Sequence, residues 1–365
     1  MNAIKLLHEP VSWLLGKPSS SAQFRALPED FQVTEILGFE PEGYGEHLFL
    51  YVRKIGENTD WVAQQIARYT GTHPKDIGYA GKKDRHAVTE QWFSVKLPIK
   101  QAVDWSSFNT ESMQVIHQVR HQRKLKTGVH QGNRFTIRLR QVTDEVSLKS
   151  RFDALLDQGV PNYFGEQRFG HHYGNLFRGI QLVSSDYKEK SRQKRGLYIS
   201  ALRSMLFNRV ISARISQGIW GKLVLGDVLM LNNSQSCFKF DESTELATLN
   251  TRLASKDIHL TAPLWGRGEL MSSQKAQEFE KTVLAPWVDL CQGLASLGLN
   301  QERRAARIAL SQASLHQEKA NQWIVSFDLP AGAFATSVLR ELSQLHTEDA
   351  EKKRPEREDE NFSLQ

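Results

Sequence analysis

Cysteine is nearly absent from this chain. Of 365 residues only Cys237 and Cys291 are cysteines, and neither has a CxxC or CxxH partner. Two such residues build no disulfide framework, fit a reducing cytoplasm and argue against structural zinc. Long apolar runs are missing too: no stretch approaches the roughly 20 apolar residues that a membrane span requires. The N-terminal MNAIKLLHEPVSWLLGKP interrupts its apolar pieces with Glu9 and Pro10, and lacks the basic start and continuous run of a signal peptide. A cytoplasmic protein without a membrane partner is expected. Catalytic and cofactor motifs are equally scarce. GxSxG, HExxH and GxGxxG occur in no useful context. Gly81-Lys82 resembles part of a phosphate loop, but no glycine lies five positions before Gly81, and Lys83 replaces the required Ser/Thr. His171-His172 has no acid or cysteine at ligand spacing. No cofactor and no metal are expected.

What is there is a globular composition, 40% hydrophobic and 24% charged, long enough for one large or two moderate domains. Net charge is +6 and unevenly spread. Residues 348 to 360 hold seven acids and four bases, so the remainder has 43 bases against 34 acids, or +9. A basic body suits a polyanionic partner such as nucleic acid. The charged tail, 348–365, has almost nothing to bury and is expected to be disordered.

Periodicity supplies the elements. Pro28-Glu29-Asp30 reads as a turn feeding a strand in which Phe31, Val33 and Glu35 alternate with Gln32, Thr34 and Ile36. Residues 47 to 54 form a second strand with Leu48, Leu50 and Val52 on one face, and 58 to 71 a helix whose stripe Trp61, Val62, Ile66, Tyr69 is core. In 133 to 140, Phe135, Ile137 and Leu139 oppose Thr136, Arg138 and Arg140, which suggests a sheet face that meets phosphates. A helix at about 146 to 158 ends at Gly159. The charged run 188 to 195 precedes a long amphipathic helix, 198 to 217, with Leu202, Leu206, Val210 and Ile211 inward and Arg203, Arg209 and Arg214 projecting. Helices are expected at about 273 to 296 and 300 to 311, then a strand at 322 to 330 and a helix from about Thr336. Strand-rich ends around a different middle suggest one discontinuous domain interrupted by another.

The densest chemistry lies in GYAGKKDRHAVTEQWFSV, 78 to 95. Asp84 sits there among Lys82, Lys83 and Arg85, and flanking cations favour an ionised carboxylate. Such a group in a cleft can act as base, nucleophile or electrostatic stabiliser. The run Gly81-Lys82-Lys83-Asp84-Arg85-His86-Ala87-Val88-Thr89-Glu90-Gln91 resembles the GxKDRxAxTxQ signature of the tRNA pseudouridine synthase D family. Segments FRALPEDF (24–31), HQGNRF (130–135), GVPNYFGEQRFG (159–170) and PAGAFATSVLREL (330–342) resemble the same family, in order along almost the whole chain.

The resemblance implies an α+β protein: a discontinuous catalytic domain with a mixed, mainly antiparallel sheet, interrupted by an inserted α/β domain. The corresponding boundaries are 1–158 and 310–347 for the catalytic part and 159–309 for the insert. It implies isomerisation of uridine to pseudouridine in tRNA, expected at position 13, without a cofactor; a monomer is expected. Asp84 would be the catalytic residue and Arg25 its cationic partner. Phe31 and Phe334 would hold the flipped uridine, Asn133 would hydrogen-bond it, and Phe135 would line the pocket. Two readings compete. A non-catalytic basic RNA-binding or chaperone protein would not need Asp84, and a metal-dependent nuclease would need clustered carboxylates.

Overall fold

The structure is a computed structural model that describes Leu6, residues 9–184 and residues 187–347; the charged tail lies outside the described residues. The chain divides into two compact units, each assembled from three stretches. Among the described residues, one unit takes Ser19–Lys149, Gln312–Ala331 and 343–347; the other takes Leu6, 9–18, Ser150–Ser311 and Gly332–Leu342.

The first unit is built on a ten-stranded sheet. Its strands are β1 (Ser21–Phe24), β2 (Phe31–Ile36), β3 (His47–Ile55), β4 (Gly78–Tyr79), β5 (Val88–Lys96), β6 (Met113–His121), β7 (Gly132–Arg140), β8 (Ser311–Lys319), β9 (Gln322–Pro330) and β10 (Gln344–His346). The main path runs β8-β9-β7-β2-β5-β3-β6. Pairs β2/β5 and β1/β10 are parallel, while β7 pairs antiparallel with β1, β2 and β9, and β5 with β3 and β4. The sheet is therefore mixed and mainly antiparallel. Period-two alternation explains the strands. In β9, Trp323, Val325, Phe327 and Leu329 are all buried, as every second side chain points to the core.

One helix, Thr59–Thr70, packs on this sheet and ends at Gly71, whose φ of +67° suits a residue without Cβ. Val62 and Ile66 are fully buried, which stabilises by roughly 1.5–3 kcal/mol each. Trp61 and Tyr69, read as core from their spacing, are each 38% exposed. They flank the buried stripe, and Tyr69 instead stacks its ring on Trp105 at 5.4 Å.

The second unit is organised around the helix Arg192–Ser216, capped by the Ser191 hydroxyl, which accepts from the Lys194 N–H. Leu202, Leu206, Val210 and Ile211 are buried against Tyr163, Phe164 and Leu290 in one cluster. The expected projection of its arginines fails. Arg209 and Arg214 are buried, because the helix is covered on several sides, and Arg203 bonds the carbonyls of Leu264 and Asn300. A buried charge must be matched. Arg214 accordingly meets Asp227 at 2.7 Å.

The helix expected at 300 to 311 is also absent. Glu302–Ala305 and Arg307–Ile308 are strands, the first paired antiparallel with Ile258–Leu264 in a four-stranded sheet. Its alanines, arginines and glutamate favour a helix locally. Tertiary pairing overrides that preference, since Arg303 in a strand reaches buried Glu280 at 2.8 Å and the Thr261 carbonyl.

Candidate active site

One face of the sheet changes from apolar to polar as it approaches the 80–87 loop. On β3 the inward positions are Leu48, Leu50, Val52 and then Lys54. Lys54 lies opposite Thr89, Thr89 beside Val33, and Val33 opposite Phe135. Two residues along lie Gln91 on β5, Glu35 on β2 and Asn133 on β7, the last two directly opposed. Lys54, Thr89, Gln91 and Glu35 are all buried. Desolvating so many polar groups is costly unless each finds a partner.

Most of the partners come from the loop, which is thereby pinned. Lys83 Nζ meets Glu35 Oε2 at 2.6 Å, and Glu35 Oε1 accepts from the Trp92 N–H. The Gln91 amide donates to the Gly81 carbonyl and accepts from the Thr59 hydroxyl, which in turn accepts from the Lys83 N–H. Lys54 Nζ donates to the Asp84 carbonyl at 3.1 Å and to the Glu57 carbonyl at 2.7 Å. Burial pushes the Lys54 pKa down to about 8, opposed in part by the negative charge of Asp84.

Asp84 is fixed at both carboxylate oxygens. Oδ2 lies 2.5 Å from Arg25 Nη2, and Oδ1 accepts from the His86 N–H at 3.1 Å. The side chain is still 22% exposed, so the carboxylate is oriented yet reachable. The three cations beside it in sequence are engaged elsewhere: Lys82 with Asp60, Lys83 with Glu35, and Arg85 with the Gly56 carbonyl. Loop geometry turns neighbouring side chains apart, and the ion partner of Asp84 comes from a distant turn.

That partner is held unusually. Arg25 has φ +58°, a left-handed conformation costing an arginine roughly 1–2 kcal/mol. Its guanidinium lies 4.1 Å from the centroid of Phe31 and 4.9 Å from that of Phe24. Cation–π contacts of this kind return on the order of 0.5–2 kcal/mol. Phe31, only 4% exposed, packs against Phe135 at 6.0 Å, which in turn meets Phe327 at 5.7 Å. Asn133 is partly buried, and its Oδ1 is buried with no hydrogen-bond partner among the described residues.

The first unit thus brings together Arg25, Phe31, Asp84 and Phe135, with Asn133 on the same face. Phe334 belongs to the second unit, where it packs on Phe164 at 6.0 Å near Arg168. The arginine face of β7 is not free for phosphates: Arg134 pairs with Asp328, Arg138 with Glu318 and Asp30, and Arg140 with Asp30. Three cations meet three carboxylates there, which leaves little positive field. Lys54 escaped sequence reasoning, although a lysine continuing the Leu48, Leu50, Val52 alternation was a readable signal of a buried charge. Among the described residues, no group of three or more His, Cys, Asp or Glu is arranged to hold a metal ion. No described helix is long and apolar enough to cross a membrane.

A family model described as tRNA pseudouridine synthase D (TruD) matches residues 12–193 and 188–342. The chain belongs to the tRNA pseudouridine synthase D family. It is 48% identical over 342 residues to the tRNA pseudouridine synthase D of Aeromonas hydrophila subsp. hydrophila, covering 93% of this chain and 96% of that one. The Colwellia psychrerythraea protein of the same name is 45% identical over 340 residues, covering 91% and 92%. A crystal structure from Methanosarcina mazei assigned to tRNA pseudouridine synthase D superposes with a TM-score of 0.71 at 22% identity, covering 93% of this chain and 97% of that one. That likeness supports the fold. The two matched stretches of the family model include Arg25, Phe31, Asp84, Asn133, Phe135 and Phe334.

Proposed function

We propose that this chain isomerises uridine to pseudouridine in tRNA, at position 13, with Asp84 as the catalytic carboxylate. Family membership supports the reaction. The observation that carries the residue assignment is the Asp84 side chain, held by Arg25 and the His86 N–H yet still open to solvent. The reaction breaks the bond between uracil N1 and the sugar, rotates the base, and joins its C5 to the same sugar carbon. The proton leaving C5 is balanced by one gained at N1, so no redox partner or group donor is required. An oriented carboxylate suits the sugar–base junction, and Arg25 holds it in that orientation.

The other residues take supporting roles. A uridine in folded RNA has to be flipped from its stack, at a cost of a few kcal/mol. Asn133 Oδ1 can accept from the uracil N3–H, which would satisfy an acceptor the fold leaves open. Phe135 forms the floor beneath Phe31, whose ring any stacked base shares with Arg25. Phe334 is proposed as a second aromatic contact to the RNA, where a stacked base returns about 1–3 kcal/mol. A tRNA substrate fits the cytoplasmic setting suggested by the cysteine content.

The test is to incubate the protein with a tRNA transcript and map pseudouridine chemically. A single new pseudouridine at position 13 supports the reading, and no modification of a bound transcript overturns it.

A further inference from the structure

Buried arginines in the second unit mostly have evident partners. Arg214 meets Asp227, Arg303 meets Glu280, and Arg307 bonds the carbonyls of Leu253 and Ile258 near a helix end. Arg168 and Arg304 are arranged differently. Both guanidiniums lie against the ring of Phe164, at 5.4 and 4.3 Å from its centroid, and Arg168 also lies 5.9 Å from that of Phe334. Among the described residues, neither forms an ion pair with a carboxylate. Arg304 Nη2 donates to Asn162 Oδ1 and the Gly332 carbonyl, both neutral, while Arg168 Nη1 reaches the Ser200 hydroxyl at 3.4 Å.

Two like charges share this spot. Burial lowers the pKa of both, that of Arg304 to about 10, and the charge of Arg168 adds to the effect on Arg304. Holding two partly desolvated guanidiniums together without an anion opposes folding. Planar arginine forks fit phosphate oxygens, and stacking on an aromatic ring fixes their orientation.

We propose that Arg168 and Arg304, braced on Phe164, form a clamp for a backbone phosphodiester of the RNA substrate. The proposal rests on the reading that the chain acts on tRNA, and it adds a phosphate contact to that reading. Neighbouring Phe334 would then face the nucleotide attached to that phosphate. The Asn162 oxygen and the Gly332 carbonyl occupy Nη2 of Arg304 and hold its fork in place.

The experiment measures binding of full-length protein to tRNAs in which single phosphates are replaced by neutral methylphosphonates, and follows affinity against salt. Wild-type protein should lose about tenfold at one linkage. Arg304→Gln and Arg168→Gln should bind unmodified tRNA about tenfold more weakly, lower the salt slope by about 1 each, and become insensitive at that same linkage. Arg304→Lys, which keeps the charge and loses the fork, should recover only part of the affinity. Arg168 is bound less firmly by its surroundings, so its variant remains informative if the Arg304→Gln protein does not fold. Folded variants with the wild-type salt slope and an unchanged methylphosphonate profile overturn the clamp while leaving the tRNA reading intact. Wild-type protein that neither binds nor modifies tRNA overturns both.

Discussion

Arg25 Nη2 lies 2.5 Å from Asp84 Oδ2, although 59 positions separate them in the chain. The same guanidinium lies over the Phe31 ring at 4.1 Å, so one side chain links the carboxylate to the aromatic floor. Lys54 holds the main chain of Asp84 from the sheet side. Carboxylate position, charge partner and the Phe31 ring are therefore coupled.

Arg25→Lys tests that coupling. Lysine keeps the charge but has neither the planar fork nor the ring stacking. The kcat for tRNA modification should fall at least tenfold, about 1.4 kcal/mol of barrier, with little change in KM. A kcat within twofold of wild type would show that only the charge of Arg25 matters.

Lys54 links the site to pH. Its folded pKa of about 8 lies below the roughly 10.4 of an unfolded lysine, so the folded chain binds fewer protons between those values. Stability from this group therefore rises as pH increases from about 8 to 10.4. Urea unfolding of wild type and Lys54→Met at pH 7.5 and pH 10 should show wild type gaining roughly 2–3 kcal/mol relative to the variant. Parallel pH dependences would contradict the buried charge.

The Lys83–Glu35 pair, almost wholly buried, gives a third expectation. Lys83→Met alone strands a buried carboxylate and should destabilise by roughly 3–5 kcal/mol. Adding Glu35→Leu should restore a large part of that stability, and a double-mutant cycle of chemical denaturations measures it. Additive effects would mean that the two side chains act independently.

Much of the fold and part of the site are legible in the sequence, and the misses share a cause. Strands such as 322–330 and 31–36 are readable because alternation reports which face is buried. The Asp84 loop is readable because its residue types recur together in one family. Local sequence carries no information on what a side chain meets across the fold. Charge along the chain groups Asp84 with Lys82, Lys83 and Arg85, and only the family resemblance points to Arg25, the ion partner found. Local sequence has Arg209 and Arg214 projecting, whereas both are buried, and it reads 300–311 as helical where sheet pairing prevails. Lys54 is the exception, a polar residue on an apolar alternation whose meaning could have been read.

The run Arg192, Lys194, Arg195 is exposed at the start of its helix and has the charge of a phosphate-binding surface. Triple charge reversal should weaken tRNA binding and lower its salt slope by about 1 for each phosphate that is no longer neutralised. An unchanged slope, measured by titration from 50 to about 200 mM salt, identifies a merely solvated turn.

In the proposed reaction the Asp84 carboxylate does the chemistry. Asp84→Asn preserves shape and one hydrogen-bonding oxygen while removing the charge that Arg25 faces. Its single-turnover rate on a tRNA transcript, measured beside its tRNA affinity, is the most direct measurement. Asp84→Asn should lose pseudouridine formation by more than a thousandfold, about 4 kcal/mol of barrier, with affinity within threefold of wild type. Activity within tenfold of wild type would contradict that role for Asp84.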